Sequence, residues 1–233
     1  MAAKKKKIEV DFNDEETVLA EMARELNIDP DELKIKESHL GSFGAGTVYE
    51  ITIHGSKNGK EWMVVENSDQ ERELAIAIVT QDLDESPENF EPNFIESHIN
   101  MDRLRRDLHS DVLSNNEETL RDRSADEFWS EYEREGFSAP EEDEDGNRPE
   151  PEDLQIEELA EAQTKEQLKD PMSYLEDIYG HEDAVKEAIK IAGIDIDAAA
   201  EEAVDTDGPG HFLSSYDGNT EETKSGLVYW RAN

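Results

Sequence analysis

The sequence contains no cysteine and no long apolar segment. The first absence excludes disulfides, thiolate nucleophiles, and zinc or iron–sulfur sites with cysteine ligands. The second argues against a transmembrane helix, which needs about 20 consecutive, mostly apolar residues. Residues 4–7 are lysines, but no apolar stretch follows them, so we expect no signal peptide. Together these absences favour a protein of the cytoplasm.

Basic residues are scarce: 23 stand against 61 acidic ones, giving a net charge of −38. Such a chain repels DNA, RNA and anionic lipid, so we expect no direct binding to nucleic acid or membranes. The excess grows along the chain, from nine basic and twelve acidic groups in residues 1–60 to seven and 27 in residues 136–233. A basic partner, a salty cytoplasm and simple solubility would each account for it. Lysines outnumber arginines by 13 to 10, which argues against extreme salt adaptation.

Alternating apolar residues mark short strands near the start, and helical spacing prevails after Pro87. We predict an α+β fold, with a small antiparallel sheet and helices in the N-terminal part and a mostly helical C-terminal part. Residues 138–153 are rich in acids and proline and carry no apolar residue larger than alanine. We therefore predict a mixed domain at 1–137, a flexible acidic linker at 138–153, and a mainly helical region with a terminal strand at 154–233.

Local signals refine this outline. Residues 7–12 alternate like a strand, and residues 48–53 and 62–65 predict a hairpin whose turn lies at 55–59. The tail at 227–231 predicts a terminal strand whose place in a sheet stays open. Three capping boxes, each a hydroxyl residue followed three positions later by Glu or Gln, predict helix starts. They are Ser68 with Glu71, Ser124 with Glu127, and Thr164 with Gln167.

No segment predicts catalysis. His211, Ser214, Ser215 and Asp217 lie close together in sequence, but a catalytic triad requires convergence in space, so we interpret them as a packed loop. The other histidines share no metal-ligand spacing, and no glycine-rich phosphate loop is present. We expect no enzyme, no catalytic residue, no cofactor and no metal ligand.

An acidic stretch within the predicted linker resembles a calcium-binding loop in spacing. Residues 141–152 place acids or amides at several ligand positions of an EF-hand-like pattern. The pattern is broken by Glu141 at the first position, Arg148 at the eighth, and prolines at the ninth and eleventh. We predict no specific calcium site there.

Rows of carboxylates are the remaining candidates for a binding site. On a helix, acids at i, i+3 or i+4 stand about 5–6 Å apart, close to the roughly 7 Å between successive DNA phosphates. A protein with such rows can occupy the DNA groove of a DNA-binding protein. The predicted partner-binding residues are Glu131, Glu135, Glu157, Glu158, Glu161, Asp197, Glu201, Glu202 and Asp205.

Several motifs carry a resemblance to known proteins. They are Tyr49-Glu-Ile, Trp62-Met-Val-Val-Glu-Asn, Phe94-Ile-Glu-Ser-His-Ile, the segment 207–218, and the ending Tyr229-Trp-Arg-Ala-Asn. These motifs resemble uncharacterised acidic proteins of tailed phages, a resemblance that implies an origin in a mobile element and no assigned chemistry. In composition, the chain is similar to the DNA-mimicking antirestriction proteins of such elements.

The sequence therefore favours a non-enzymatic acidic binding protein. Its predicted partner is a basic protein, for example a host DNA-binding or defence protein that it inhibits as a DNA mimic in the host cytoplasm. The alternative is a structural or interaction protein of a phage or mobile element whose charge serves solubility alone. A mimic would carry its carboxylates in contiguous rows, whereas solubility would spread them evenly.

Overall fold

A computed structural model describes residues 10–54, 60–143, 145 and 147–233. In these residues the chain forms ten α-helices and five antiparallel strands, which confirms the predicted α+β class. In chain order the elements are α1 (Glu15–Leu26), β1 (Leu33–Glu37), β2 (Tyr49–Ile53), β3 (Glu61–Val65), α2 (Ser68–Glu85), α3 (Pro92–Ser97), α4 (Met101–Arg121), α5 (Ala125–Arg134), α6 (Asp153–Gln167), α7 (Pro171–Tyr179), α8 (His181–Ala192), α9 (Ile196–Asp207), α10 (Pro209–Leu213), β4 (Thr220–Glu222) and β5 (Val228–Arg231).

The chain divides into two compact units. The first comprises Met1–Asn89 together with Ile196–Asn233, and the second comprises Phe90–Asp195. The C-terminal segment thus returns to the N-terminal one, whereas we had divided the chain into successive regions at 138–153. That predicted linker lies inside the second unit.

The first unit is built on a sheet with the strand order β1-β2-β3-β5-β4. The predicted hairpin forms as β2 and β3, with Tyr49 opposite Val64, while its turn at 55–59 lies outside the described residues. β5 is the predicted terminal strand, and it pairs with β3, with Trp62 opposite Arg231. This pairing is the sheet contact that the sequence left open.

Successive side chains of these strands point to opposite faces of the sheet, and in the central strands both faces are buried. Ile51 and Val64 face α1 and join Met22 in one cluster, in which these three side chains have exposures of 0%. The alternate positions Met63 and Trp230 are also buried, at 6% and 2% exposure. A strand buried on both faces needs apolar residues at consecutive positions, as the central strands have.

The second unit is helical, and an aromatic cluster forms part of its core. Phe128, Trp129 and Tyr132 of α5 are buried against Leu159 of α6, with the Trp129 and Tyr132 rings 5.4 Å apart and nearly perpendicular. Edge-to-face pairs of this kind add stability beyond the area that they bury. α4 packs against both α6 and α8.

The acidic segment at 138–153 is tied to this cluster. The Trp129 indole N–H donates a hydrogen bond to the Pro149 carbonyl at 2.7 Å. Arg148 lies 3.3 Å from a Glu133 carboxylate oxygen and 3.7 Å from one of Glu142. The Pro149 carbonyl and the Arg148 side chain therefore attach the segment to α5. Most of the described acids in the segment are exposed.

The predicted helix starts had mixed outcomes. The Ser124–Glu127 capping box is present at α5. At α2 the prediction was wrong by one residue, because Asn67 is the cap and accepts from the Gln70 N–H at 2.9 Å. The Thr164–Gln167 box was also wrong. Thr164 is buried inside the long helix α6, where its hydroxyl accepts a hydrogen bond from Asn116 at 2.9 Å.

The predicted first strand does not form in the part that the structure describes. Residues 7–9 lie outside it, residues 10 and 11 have no regular secondary structure, and a turn at 12 and 13 precedes α1. Phe12 is nevertheless buried against Tyr49, with ring centroids 5.0 Å apart. Among the described helices, none combines the length and apolar character that a bilayer crossing requires.

Candidate functional site

The clearest acidic surface of the first unit lies on α9. Five of the twelve residues in this helix are acidic and none is basic. The opposite side is a stripe of small apolar residues that packs against α2, and its members are Ala199, Ala200, Ala203 and Val204, all buried. The packed stripe fixes which side of the helix faces solvent.

Three of the acids form a row along the exposed side. Asp197, Glu201 and Asp205 recur every four residues and are all exposed. At a rise of about 1.5 Å per residue, successive carboxylates are about 6 Å apart along the axis, and the row spans about 12 Å. Glu202 is exposed beside the row. We use the name α9 acidic row for Asp197, Glu201, Glu202 and Asp205 together.

One arginine of α2 contacts this row. Arg72 Nη2 lies 2.8 Å from Asp205 Oδ1, and its Nε lies 3.1 Å from the same oxygen. The hydrogen bond to Asp205 raises the pKa of the Arg72 guanidinium, and the charge of Glu201 adds to the effect. Asp205 remains 64% exposed, so the ion pair leaves much of its carboxylate accessible.

The predicted acids of α6 are less available. Glu158 accepts a hydrogen bond of 2.5 Å from the Tyr132 hydroxyl, and burial together with this carboxylate raises the pKa of Tyr132 to about 12. Glu161 lies 3.3 Å from His109 Nε2. Glu157 is exposed. Two of the three residues therefore contribute to contacts within the second unit.

Glu131 does not form part of an exposed row with Glu135. Its side chain is only 15% exposed and forms ion pairs with Arg123 and Arg134. It also accepts a hydrogen bond from Gln163 at 2.9 Å. Glu135 is exposed at the end of α5. Our interpretation of Glu131 as a partner-binding residue does not fit this position, because its carboxylate is already neutralised by two arginines.

The nine predicted residues therefore fall into two groups. The four of the α9 acidic row belong to the first unit, and the other five belong to the second. Only in the first group do all members lie exposed on a single helix, and that helix contains no basic residue.

The histidine-containing loop at 208–218 is a packing element of the first unit. The Ser214 hydroxyl lies 3.1 Å from Asp217 Oδ1 and 3.1 Å from the Arg231 carbonyl, and Ser215 donates to the Ala232 carbonyl at 2.5 Å. These bonds tie the loop to β5. Among the described residues, no hydrogen bond joins His211 to either serine. Leu213 and Ser214 are buried, whereas His211, Ser215 and Asp217 are exposed, so the loop is packed only in part.

The loop with calcium-like spacing uses a carboxylate to hold its own backbone. Asp143 Oδ1 accepts from the N–H groups of Asp145 at 2.9 Å and Asn147 at 2.8 Å. Residues 144 and 146 lie outside the described part of the chain. The absence of a specific calcium site stays a prediction.

Sequence spacing did not predict one group of potential metal-binding side chains in the second unit. Glu96 of α3, Glu176 of α7 and His181 of α8 bring their potential ligand atoms within 4.8 Å of one another. His181 Nδ1 lies 2.5 Å from Glu176 Oε1, and Nε2 lies 3.1 Å from Asn93 Oδ1. The hydrogen bond to Glu176 and the charge of Glu96 raise the pKa of His181. We call these four residues the His181 cluster.

The sequence held only a faint signal for this cluster. Asn93 and Glu96 are three residues apart on one helix, and Glu176 and His181 flank Gly180, but more than 70 residues separate the two pairs. Their convergence depends on the packing of α3 against α8, which the spacing does not reveal.

We found no match for this chain among protein-family models, curated proteins or solved structures.

Proposed function

We propose that this chain is a non-enzymatic acidic binding protein that engages a basic surface of a partner protein through the α9 acidic row. The partner class is a DNA-binding protein, whose phosphate-binding groove the row enters in place of DNA. The single observation that supports this is the row itself: exposed carboxylates about 6 Å apart on a helix without a basic residue.

The spacing and the electrostatics both fit such a partner. The three carboxylates of Asp197, Glu201 and Asp205 match, in interval, roughly three successive phosphates of a DNA strand. Lysine and arginine side chains that bind phosphates pair equally with carboxylates, and Arg does so through two parallel hydrogen bonds. A groove built for a nucleic-acid backbone is therefore complementary to this side of α9.

The row is also unfavourable for the helix that carries it. Like charges four residues apart destabilise a helix by a few tenths of a kcal/mol per pair. Asp205 and Asp207 lie at the C-terminal end of α9, where the helix dipole disfavours negative charge. Local choices that oppose the fold are expected mainly at functional sites, and this supports a binding role for the row.

A competition experiment tests the proposal. The full chain is titrated into complexes of labelled DNA with a panel of basic proteins, including helix-turn-helix repressors and HU-type architectural proteins. We expect it to release DNA from at least one panel protein at about 50 mM salt and to do so less well at about 300 mM, because screening weakens the contact.

The opposite outcome is equally clear. If the chain displaces DNA from no panel protein at either salt concentration, the proposal fails for the protein classes tested. The charge would then be explained by solubility.

A further inference from the structure

The His181 cluster gathers donor atoms that metal ions bind. Asn93 and Glu96 come from one side of α3, Glu176 from the last turn of α7, and His181 from the start of α8. An imidazole nitrogen and two carboxylate oxygens are a donor set suited to zinc and related divalent ions. In the part of the chain that the structure describes, this is the only such group of three.

The imidazole of His181 lies between two oxygen acceptors. Its Nε2 faces the amide oxygen of Asn93 at 3.1 Å, and its Nδ1 faces a carboxylate oxygen of Glu176 at 2.5 Å. Both of these oxygen atoms are hydrogen-bond acceptors. A neutral ring can donate to only one of them. With its N–H directed at Asn93, Nδ1 presents its lone pair to the carboxylate side, where either a proton or, once Glu176 moves back from 2.5 Å, a metal ion can bind.

Protonation of His181 balances the charge of only one of the two carboxylates. The Glu96 carboxylate lies in the cluster but forms no hydrogen bond or ion pair among the residues that the structure describes, where only the backbone carbonyl of Glu96 accepts hydrogen bonds. A protonated imidazole neutralises one of the two carboxylates and leaves a net charge of about −1 at the site, whereas a divalent ion neutralises both.

We propose that Glu96, Glu176 and His181 bind one divalent ion of the zinc class, with His181 Nδ1 as the nitrogen ligand. Asn93 holds the ring by accepting the Nε2–H, as hydrogen-bond partners of metal-bound histidines commonly do. Bonds of about 2.0–2.2 Å place the ligand atoms of a tetrahedral ion roughly 3.3–3.5 Å apart. Binding requires rotations of the two glutamate side chains, because His181 Nδ1 and Glu176 Oε1 are now 2.5 Å apart and the three ligand atoms lie within 4.8 Å of one another.

His109 is a matched control for His181. His109 in the same unit also faces a glutamate, Glu161, at 3.3 Å from Nε2, and its exposed fraction of 41% is close to the 43% of His181. It is not part of a group of three ligands among the described residues. His109→Ala therefore removes a comparable histidine without removing the proposed site.

The experiment is a calorimetric titration of the EDTA-treated full chain with ZnCl₂ at about 150 mM salt and in millimolar magnesium, which occupies weak carboxylate sites. We expect one saturable zinc site. His181→Ala and Glu96→Gln each lower the zinc affinity at least about tenfold, and His109→Ala leaves it unchanged. Equal affinities for His181→Ala and His109→Ala, or only unsaturable binding, overturn the proposal.

A second measurement detects zinc on the unaltered chain and uses a variant only to assign one resonance. The chain has six histidines, whose imidazole nitrogens are resolved in histidine-selective ¹H–¹⁵N spectra. One equivalent of zinc is expected to shift the Nδ1 resonance of one ring, and His181→Ala identifies that ring. A uniform small shift of several rings, or a shift of another histidine alone, contradicts the assignment.

Discussion

At the scale of single residues, Glu71 is the most poorly accommodated charge that the structure describes. It is 6% exposed, and its Oε1 is buried without a hydrogen-bond partner. Burial raises the pKa of this carboxyl, the nearby charge of Glu222 raises it further, and the Thr220 hydroxyl partly offsets the change. A carboxyl whose pKa is raised on folding stabilises the fold when protonated and loses that contribution as the pH rises through its folded pKa.

We therefore expect Glu71→Gln to raise the melting temperature at about pH 7. The gain should shrink as the pH falls through the raised pKa of folded Glu71 and disappear below the ordinary glutamate pKa of about 4.3, because Glu71 is then protonated in the folded and the unfolded chain alike. Thermal unfolding across this pH range measures it. Glu73→Gln, at an exposed position of the same helix, removes the same charge and is the control. An equal gain for both variants would assign the effect to overall charge.

Glu131 illustrates the opposite case, an acid that the fold requires. Its carboxylate joins Arg123, Arg134 and Gln163. Glu131→Gln should lower the free energy of unfolding by about 1–2 kcal/mol, because it removes charge-assisted hydrogen bonds at a mostly buried position. Glu135→Gln should change it by less than about 0.5 kcal/mol. Urea titrations compare the two, and a negligible loss for Glu131→Gln would contradict the structural role.

At the scale of elements, the loop after α9 depends on one glycine. A Cβ at Gly210 would lie 2.7 Å from the Gly218 carbonyl oxygen and 3.2 Å from the Thr220 backbone nitrogen. Both atoms are backbone, so neither can move aside cheaply. The close approach of α10 to the start of β4 therefore requires glycine at this position.

Gly210→Ala should destabilise the chain by about 1–3 kcal/mol, as expected for an overpacked site. His211→Ala at the next, exposed position should have little effect. Chemical denaturation of both variants provides the measurement. Unchanged stability of Gly210→Ala would show that the loop can separate from β4 without cost.

The anchor of the acidic segment gives a second prediction at this scale. Trp129→Phe removes the hydrogen bond to the Pro149 carbonyl while keeping an aromatic ring in the cluster. We expect a Glu-specific protease to cut within residues 138–153 before any other region and to cut the variant faster. Mass spectrometry of early fragments identifies the sites. First cuts elsewhere, or equal rates for both proteins, would contradict the anchoring role of Trp129.

Elements with a strong local pattern could be predicted from the sequence. Apolar and polar residues alternate along β2, β3 is a short apolar run that follows a turn signal, and the capping box at Ser124 uses two side chains three residues apart. β4 was missed because Thr220–Glu222 contains no apolar residue and forms a strand only by pairing with β5. Thr164 was mistaken for a cap because its partner, Asn116, lies on another helix.

Sites that depend on long-range packing could not be predicted in the same way. The α9 acidic row has a periodic pattern, and its four residues were named from spacing alone. The same spacing predicted Glu131 as a partner-binding residue. Nothing in the sequence shows that two arginines converge on its carboxylate. The His181 cluster requires α3 to meet α8, a contact without local signal.

At the scale of the whole molecule, acids are distributed unevenly with respect to bases. Helices of the second unit intersperse the two signs, with ion pairs such as Arg105 with Asp102 and Lys186 with Asp183. α9 carries five acids without a base. Charge that served solubility alone would not need such a row. The resemblance to acidic phage proteins and a location in a host cytoplasm stay predictions.

The measurement that tests the central claim most directly is an association rate. It is measured for the panel protein that the chain displaces best from DNA, at about 50 and 300 mM salt. Asp197, Glu201 and Glu202 are changed to lysine together. Glu141, Asp145 and Glu150, exposed acids of the segment at 138–153, are changed likewise in a control of equal net charge.

We predict an association rate that falls steeply with salt, and that is roughly tenfold lower for the α9 variant but little changed for the control. Equal losses for the two variants, or no protein displaced from DNA at all, would contradict it.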